Sequence, residues 1–174
     1  MDALSRLSEF ISRVCQVIGS LSLVCIIMVT LTDVVTRYLF KITQGASSFT
    51  VKGSVELVSY LMLFALLAAF VAFVERSQII VDVFTQKMPH KIKALLMGVF
   101  MMVFAVVSFV FVLGLHELMH DSIEYGNVTQ DLRISMTPIY GFGAFLCFLL
   151  MIRSFIESLN IFRTGEFHNA EEAG

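Results

Sequence analysis

The stretch Ala94–Leu115, ALLMGVFMMVFAVVSFVFVLGL, holds 22 consecutive residues without a charge or a proline. As a helix it is about 33 Å long, matching the roughly 30 Å hydrocarbon core of a bilayer. Three more uncharged runs of similar length, Val14–Thr32, Leu57–Val74 and Ile134–Ile152, lie on either side of it. The 174-residue chain is 57% hydrophobic and 15% charged, with a mean hydropathy of +0.86, outside the balance of a soluble domain. The expected fold is therefore all-α, an integral membrane bundle of four transmembrane helices. Residues 1–163 are taken as one domain with spans near 14–36, 56–75, 93–116 and 134–160, and 164–174 as a polar, disordered cytoplasmic tail.

The segment before the first run repeats Leu4, Leu7, Ile11, Val14 and Ile18 at helical spacing, with Asp2, Arg6, Glu9 and Arg13 on the other faces. This reads as an N-terminal interfacial helix running into the membrane. Asp2 and Glu9 in the leader, and no small-x-small site after the apolar run, argue against a cleaved signal peptide. Cys15, Cys25 and Cys147 lack the spacing of a disulfide framework or metal knuckle, and read as packing residues.

Net charge is only −2, so the placement of Lys and Arg carries the orientation. Arg6 and Arg13 precede the first span, Arg76, Lys87, Lys91 and Lys93 separate the second from the third, and Arg153 and Arg163 follow the fourth. The other connections hold Arg37, Lys41, Lys52 and Arg133. The positive-inside rule then puts both termini in the cytoplasm, with the third connection outside.

That connection begins with His116-Glu117-Leu118-Met119-His120, the H-E-x-x-H spelling of a zinc-dependent hydrolase. Such a site needs a third protein ligand and an open position for water. The sequence after His120 is DSIEYGNV instead of G-x-x-H, and His168 and Glu157 fall beyond the fourth span, across the membrane. Glu124 shares the helix, but one helix cannot wrap three ligands around a tetrahedral ion. The motif therefore reads as a polar helix end, and a zinc-dependent membrane enzyme on His116, Glu117 and His120 is the weaker alternative.

No ionisable residue is expected mid-span, and His90, His116, His120 and His168 all lie at ends or in loops, which argues against a haem bundle or a self-sufficient pump. The acceptor spelling Asn127-Val128-Thr129 is too short to weigh. On the second helix Ala65, Ala68, Ala69 and Ala72 form a small-residue face that fits a contact inside the bundle or with a partner chain. In SMTPIYGFG, Ser135 or Thr137 can cap the fourth helix, Pro138 suits its first turn, and Gly141 and Gly143 allow close packing. This inventory describes a bundle that packs against something, either an auxiliary membrane subunit or a free-standing scaffold.

Three stretches then resemble the small integral-membrane (Q, or DctQ-type) subunit of tripartite ATP-independent periplasmic (TRAP) transporters. They are DVVTRYLF (Asp33–Phe40), GSVELVSY (Gly53–Tyr60) and IIVDVFTQKMP (Ile79–Pro89). In this chain Gln78 stands where the family often has histidine, and no tryptophan marks the start of the second helix, where Phe49 or Phe64 supplies the bulk. The resemblance implies a non-catalytic subunit of a sodium-coupled importer of an organic acid in a bacterial inner membrane. It would brace the large membrane subunit and help dock a periplasmic substrate-binding protein. Expected partners are those two proteins and membrane lipid, with no nucleic acid, cofactor or resident metal. Asp33, Arg37 and Glu56 are expected as rim charges fixing helix one against helix two or the large subunit, and Asp82 as a turn cap or a partner for a basic residue.

Overall fold

The computed structural model describes residues 2–43, 53–74 and 89–164. Asp82, Gln78, Gly45, Phe49, Arg76, Lys87 and the tail from residue 165 lie outside the described residues. Among the described residues there are four helices: α1 (Asp2–Ile42), α2 (Ser54–Phe73), α3 (His90–Tyr125) and α4 (Thr137–Thr164). All four are long and apolar enough to cross a membrane. The only extended pairing among the described residues is an isolated antiparallel bridge between Val128 and Ser135.

The 20 residues of α2 measure about 30 Å and match the hydrocarbon core. In contrast α1, with 41 residues, and α3, with 36, are each far longer than their apolar runs. A helix ends where capping groups or breakers stop it and continues past the point where hydropathy falls. Accordingly α3 carries on through the whole HELMH segment to Gly126, whose φ of 64° provides the left-handed C-cap. The motif is thus helical, and the third connection begins only at Gly126.

The N-terminal amphipathic segment is continuous with the first span as part of α1. Its buried line is Ser8, Ile11, Cys15 and Gly19, whereas Leu7 and Val14 are exposed. This end of α1 lies along the bundle, where the Ser12 hydroxyl donates to the Ala72 carbonyl at 2.9 Å.

Helices α1 and α2 pack along each other, as do α3 and α4, and contact between α2 and α4 joins the two pairs. The core consists of Ile11, Cys15, Ala68, Val71, Met97, Met101, Leu146 and Ile161. Around it many large apolar side chains are exposed, such as Val17, Phe109, Val110 and Phe111, as expected when the solvent is lipid. Gly141 and Gly143 face Met119 and Leu115 of α3. Just before α4 the Ser135 hydroxyl accepts the Thr137 N–H at 3.4 Å, and Met136, whose carbonyl accepts the Tyr140 N–H, stands at the N-cap position between them. The Thr137 hydroxyl donates to that of Ser122, holding the start of α4 to α3.

One placement differs from the hydropathy reading. Arg153, counted by its position among the rim charges that follow the uncharged run Ile134–Ile152, lies inside α4 and is 1% exposed. An arginine at the edge of an apolar run resembles a rim charge locally, but here the helix continues past it and the packing of α1 and α2 closes over it.

Candidate functional sites at the two ends of the bundle

At the end of the bundle away from the termini, the Glu56 carboxylate accepts three backbone N–H groups from the α3–α4 connection. Oε1 takes Gln130 at 3.0 Å, and Oε2 takes Asp131 at 3.1 Å and Leu132 at 3.0 Å. Successive backbone amides in a turn form a concave donor surface suited to an anion, which the first turn of α2 supplies here. The connection also fastens to itself. The Thr129 N–H donates to the Ile134 carbonyl at 2.9 Å, and the Ile134 N–H donates back to the Thr129 hydroxyl at 3.1 Å. Thr129 is 2% exposed, so the fastening lies beneath the loop surface. Gly53 lets α2 reach this position: its φ is 76°, and a Cβ there would lie 2.6 Å from Leu132 Cγ.

Asp33 and Arg37 form an ion pair along α1, with Arg37 Nε 2.9 Å from Asp33 Oδ2. Arg37 is 60% exposed, and such i,i+4 pairs contribute at most about 1 kcal/mol. The other carboxylate oxygen, Oδ1, is buried with no hydrogen-bond partner among the described residues. Glu56 does not join this pair, because its donors come from residues 130–132.

At the other end, Arg153 joins three helices. Its Nε donates to the Ser8 hydroxyl at 3.0 Å, and its Nη1 donates to the carbonyls of Val71 and, at 3.0 Å, Ala72. The last four carbonyls of a helix have no partner within it, and Val71 and Ala72 are among those of α2. The guanidinium therefore caps α2 from α4 while holding α1 through Ser8. One turn further along α4, the Ser158 hydroxyl donates to the Gly98 carbonyl of α3 at 2.9 Å. Hydropathy does not point to this site. The available signal was the pattern Arg153-Ser154…Ser158, small polar residues at helical spacing within an otherwise apolar helix.

Of the small-residue face, Ala65, Ala68 and Ala72 are buried at the contact with α1. The close approach is at Gly19, where an added Cβ would lie 3.6 Å from Ala68 Cβ and 3.7 Å from the Ala65 carbonyl oxygen. His116, Glu117 and His120 are all exposed on α3. Among the described residues no three His, Cys, Asp or Glu side chains are gathered in a way that could hold a metal ion.

These sites position helices and loops, and neither assembles a nucleophile with a base. The family described as "Tripartite ATP-independent periplasmic transporters, DctQ component" matches residues 26–164. No curated protein and no solved structure matches the chain.

Proposed function

The chain belongs to the DctQ component family of tripartite ATP-independent periplasmic transporters, and is thus the small membrane subunit of such a transporter, a multi-pass inner-membrane protein. From that premise we propose that it acts as a brace for the large membrane subunit of a sodium-coupled importer of an organic acid. The carrying observation is the family match over residues 26–164. DctQ components are non-catalytic subunits, so the transport chemistry falls to the large subunit. Membership of the family implies association with that subunit and with a binding protein.

The charge asymmetry supports placing both termini in the cytoplasm. With that orientation, the loop clamped by Glu56 faces the periplasm, where a binding protein carrying the organic acid would arrive. The exposed guanidinium of Arg37 supports a contact with the large subunit at the same rim. Asp82 belongs to this proposal on the family resemblance alone.

Mild-detergent purification of the tagged chain from its native host tests the reading. A larger multi-span protein should be recovered near one to one, and Arg37→Glu should lower its recovery while the small subunit stays folded. Recovery of this chain alone, in a detergent that preserves other membrane complexes, would favour a free-standing scaffold.

A further inference from the structure

Beside the α1–α2 contact lies an open groove with a cavity volume of about 810 Å3. Small side chains of α2, including Ala65 and Ala69, line one side, and the α1 side runs from Arg13 past Gln16 and Ser20 to Val24. We propose that this groove holds one acyl chain of an anionic phospholipid, with the headgroup phosphate on the Arg13 guanidinium.

The position of Arg13 supports a headgroup. It is exposed, it directly precedes the uncharged run Val14–Thr32, and among the described residues no carboxylate pairs with it. It therefore lies where hydrocarbon gives way to phosphates, and a guanidinium can bind a phosphate through two parallel hydrogen bonds. Basic pockets between transmembrane helices recognise anionic headgroups in this way.

The length of the groove matches one acyl chain. From Arg13 to Val24 α1 rises about 16 Å, close to the roughly 15 Å of one leaflet's hydrocarbon. The lining runs from Arg13 to Val24 on α1 and from Phe73 to Ala65 on α2, so the groove is one leaflet deep and has a basic residue at its rim, while exposed apolar residues continue along both helices beyond it. The lining chemistry agrees, because the Ser20 hydroxyl already donates to the Gln16 carbonyl at 2.7 Å and an alkyl chain would leave it satisfied. Only residence in a membrane is required, so the inference stands apart from the transporter reading.

The test is native mass spectrometry of the full chain in mild detergent, with equal amounts of phosphatidylglycerol and phosphatidylcholine added. One phosphatidylglycerol should be retained in preference. Arg13→Gln should lower its retention about fivefold, the factor for the roughly 1 kcal/mol that one basic residue contributes near anionic lipid. Phosphatidylcholine retention should stay as it was. Ser20→Phe, filling the groove, should remove both lipids at unchanged helicity, and Arg37→Gln at the far rim should change neither. Equal retention of the two lipids, insensitive to Arg13→Gln, would overturn the proposal. So would a photoreactive residue replacing Val17 that crosslinks to another polypeptide and not to lipid.

Discussion

Replacing Arg153 by methionine is the sharpest test of how the bundle is held. Methionine keeps most of the side-chain length and its apolar packing but removes every donor. Of the acceptors named above, the Ala72 carbonyl keeps the Ser12 hydroxyl, so the loss concentrates on the Val71 carbonyl, while the Ser8 hydroxyl loses one of its hydrogen bonds. A buried polar group left unpaired costs about 1–3 kcal/mol and a lost hydrogen bond about 1 kcal/mol, which gives roughly 2–4 kcal/mol together. Methionine also removes the desolvation cost of a buried cation, which pulls the net loss toward the lower figure. Arg153→Lys should fall between wild type and Arg153→Met, because an ammonium keeps the charge but cannot reproduce the planar fork. The assay is reversible SDS unfolding in mixed micelles, with a double-mutant cycle against Ser8→Ala. Residues sharing a hydrogen bond should be non-additive by at least about 0.5 kcal/mol. Wild-type stability in Arg153→Met, or strict additivity with Ser8→Ala, would refute the cap.

Two further predictions concern the opposite end. Gly53→Ala and Gly126→Ala both put a Cβ on a left-handed residue, at about 1–2 kcal/mol, but only Gly53 also faces a clash, with Leu132, while Gly126 has open space. Gly53→Ala should therefore show the larger drop in melting temperature in detergent, and equal drops would refute the close contact. Glu56→Gln keeps the size of the side chain but loses the charge and one of the two acceptor oxygens. Amide hydrogen exchange at Gln130, Asp131 and Leu132 should speed up while exchange within α3 is unaffected, and unchanged exchange at those three amides would remove the clamp.

The number and identity of the spanning helices were legible in the chain, because crossing a bilayer is a local property. About 20 uncharged apolar residues suffice wherever they occur, and the run Ala94–Leu115 announces α3 without reference to any neighbour. The stretches Asp33–Phe40 and Gly53–Tyr60 likewise carried the family resemblance, and they lie within the matched residues 26–164. Helix ends were less legible. Hydropathy falls at His116, but backbone hydrogen bonding continues until Gly126 turns left-handed, so α3 outlasts its apolar run by nearly three turns.

What only the tertiary structure decided is where the polar groups find partners. Glu56 meets amides 74 to 76 positions along the chain, and Arg153 meets Ser8, 145 positions away. Periodicity reaches a few turns along one helix, whereas these partners are brought together only when α2 packs against α4 and α1 against α2. An arginine beside an apolar run reads as a rim charge by its neighbours in sequence. Unpaired carbonyls at the end of α2 and a serine on α1 make it a buried cap, because a polar group shut away from water must be satisfied by whatever the fold sets against it.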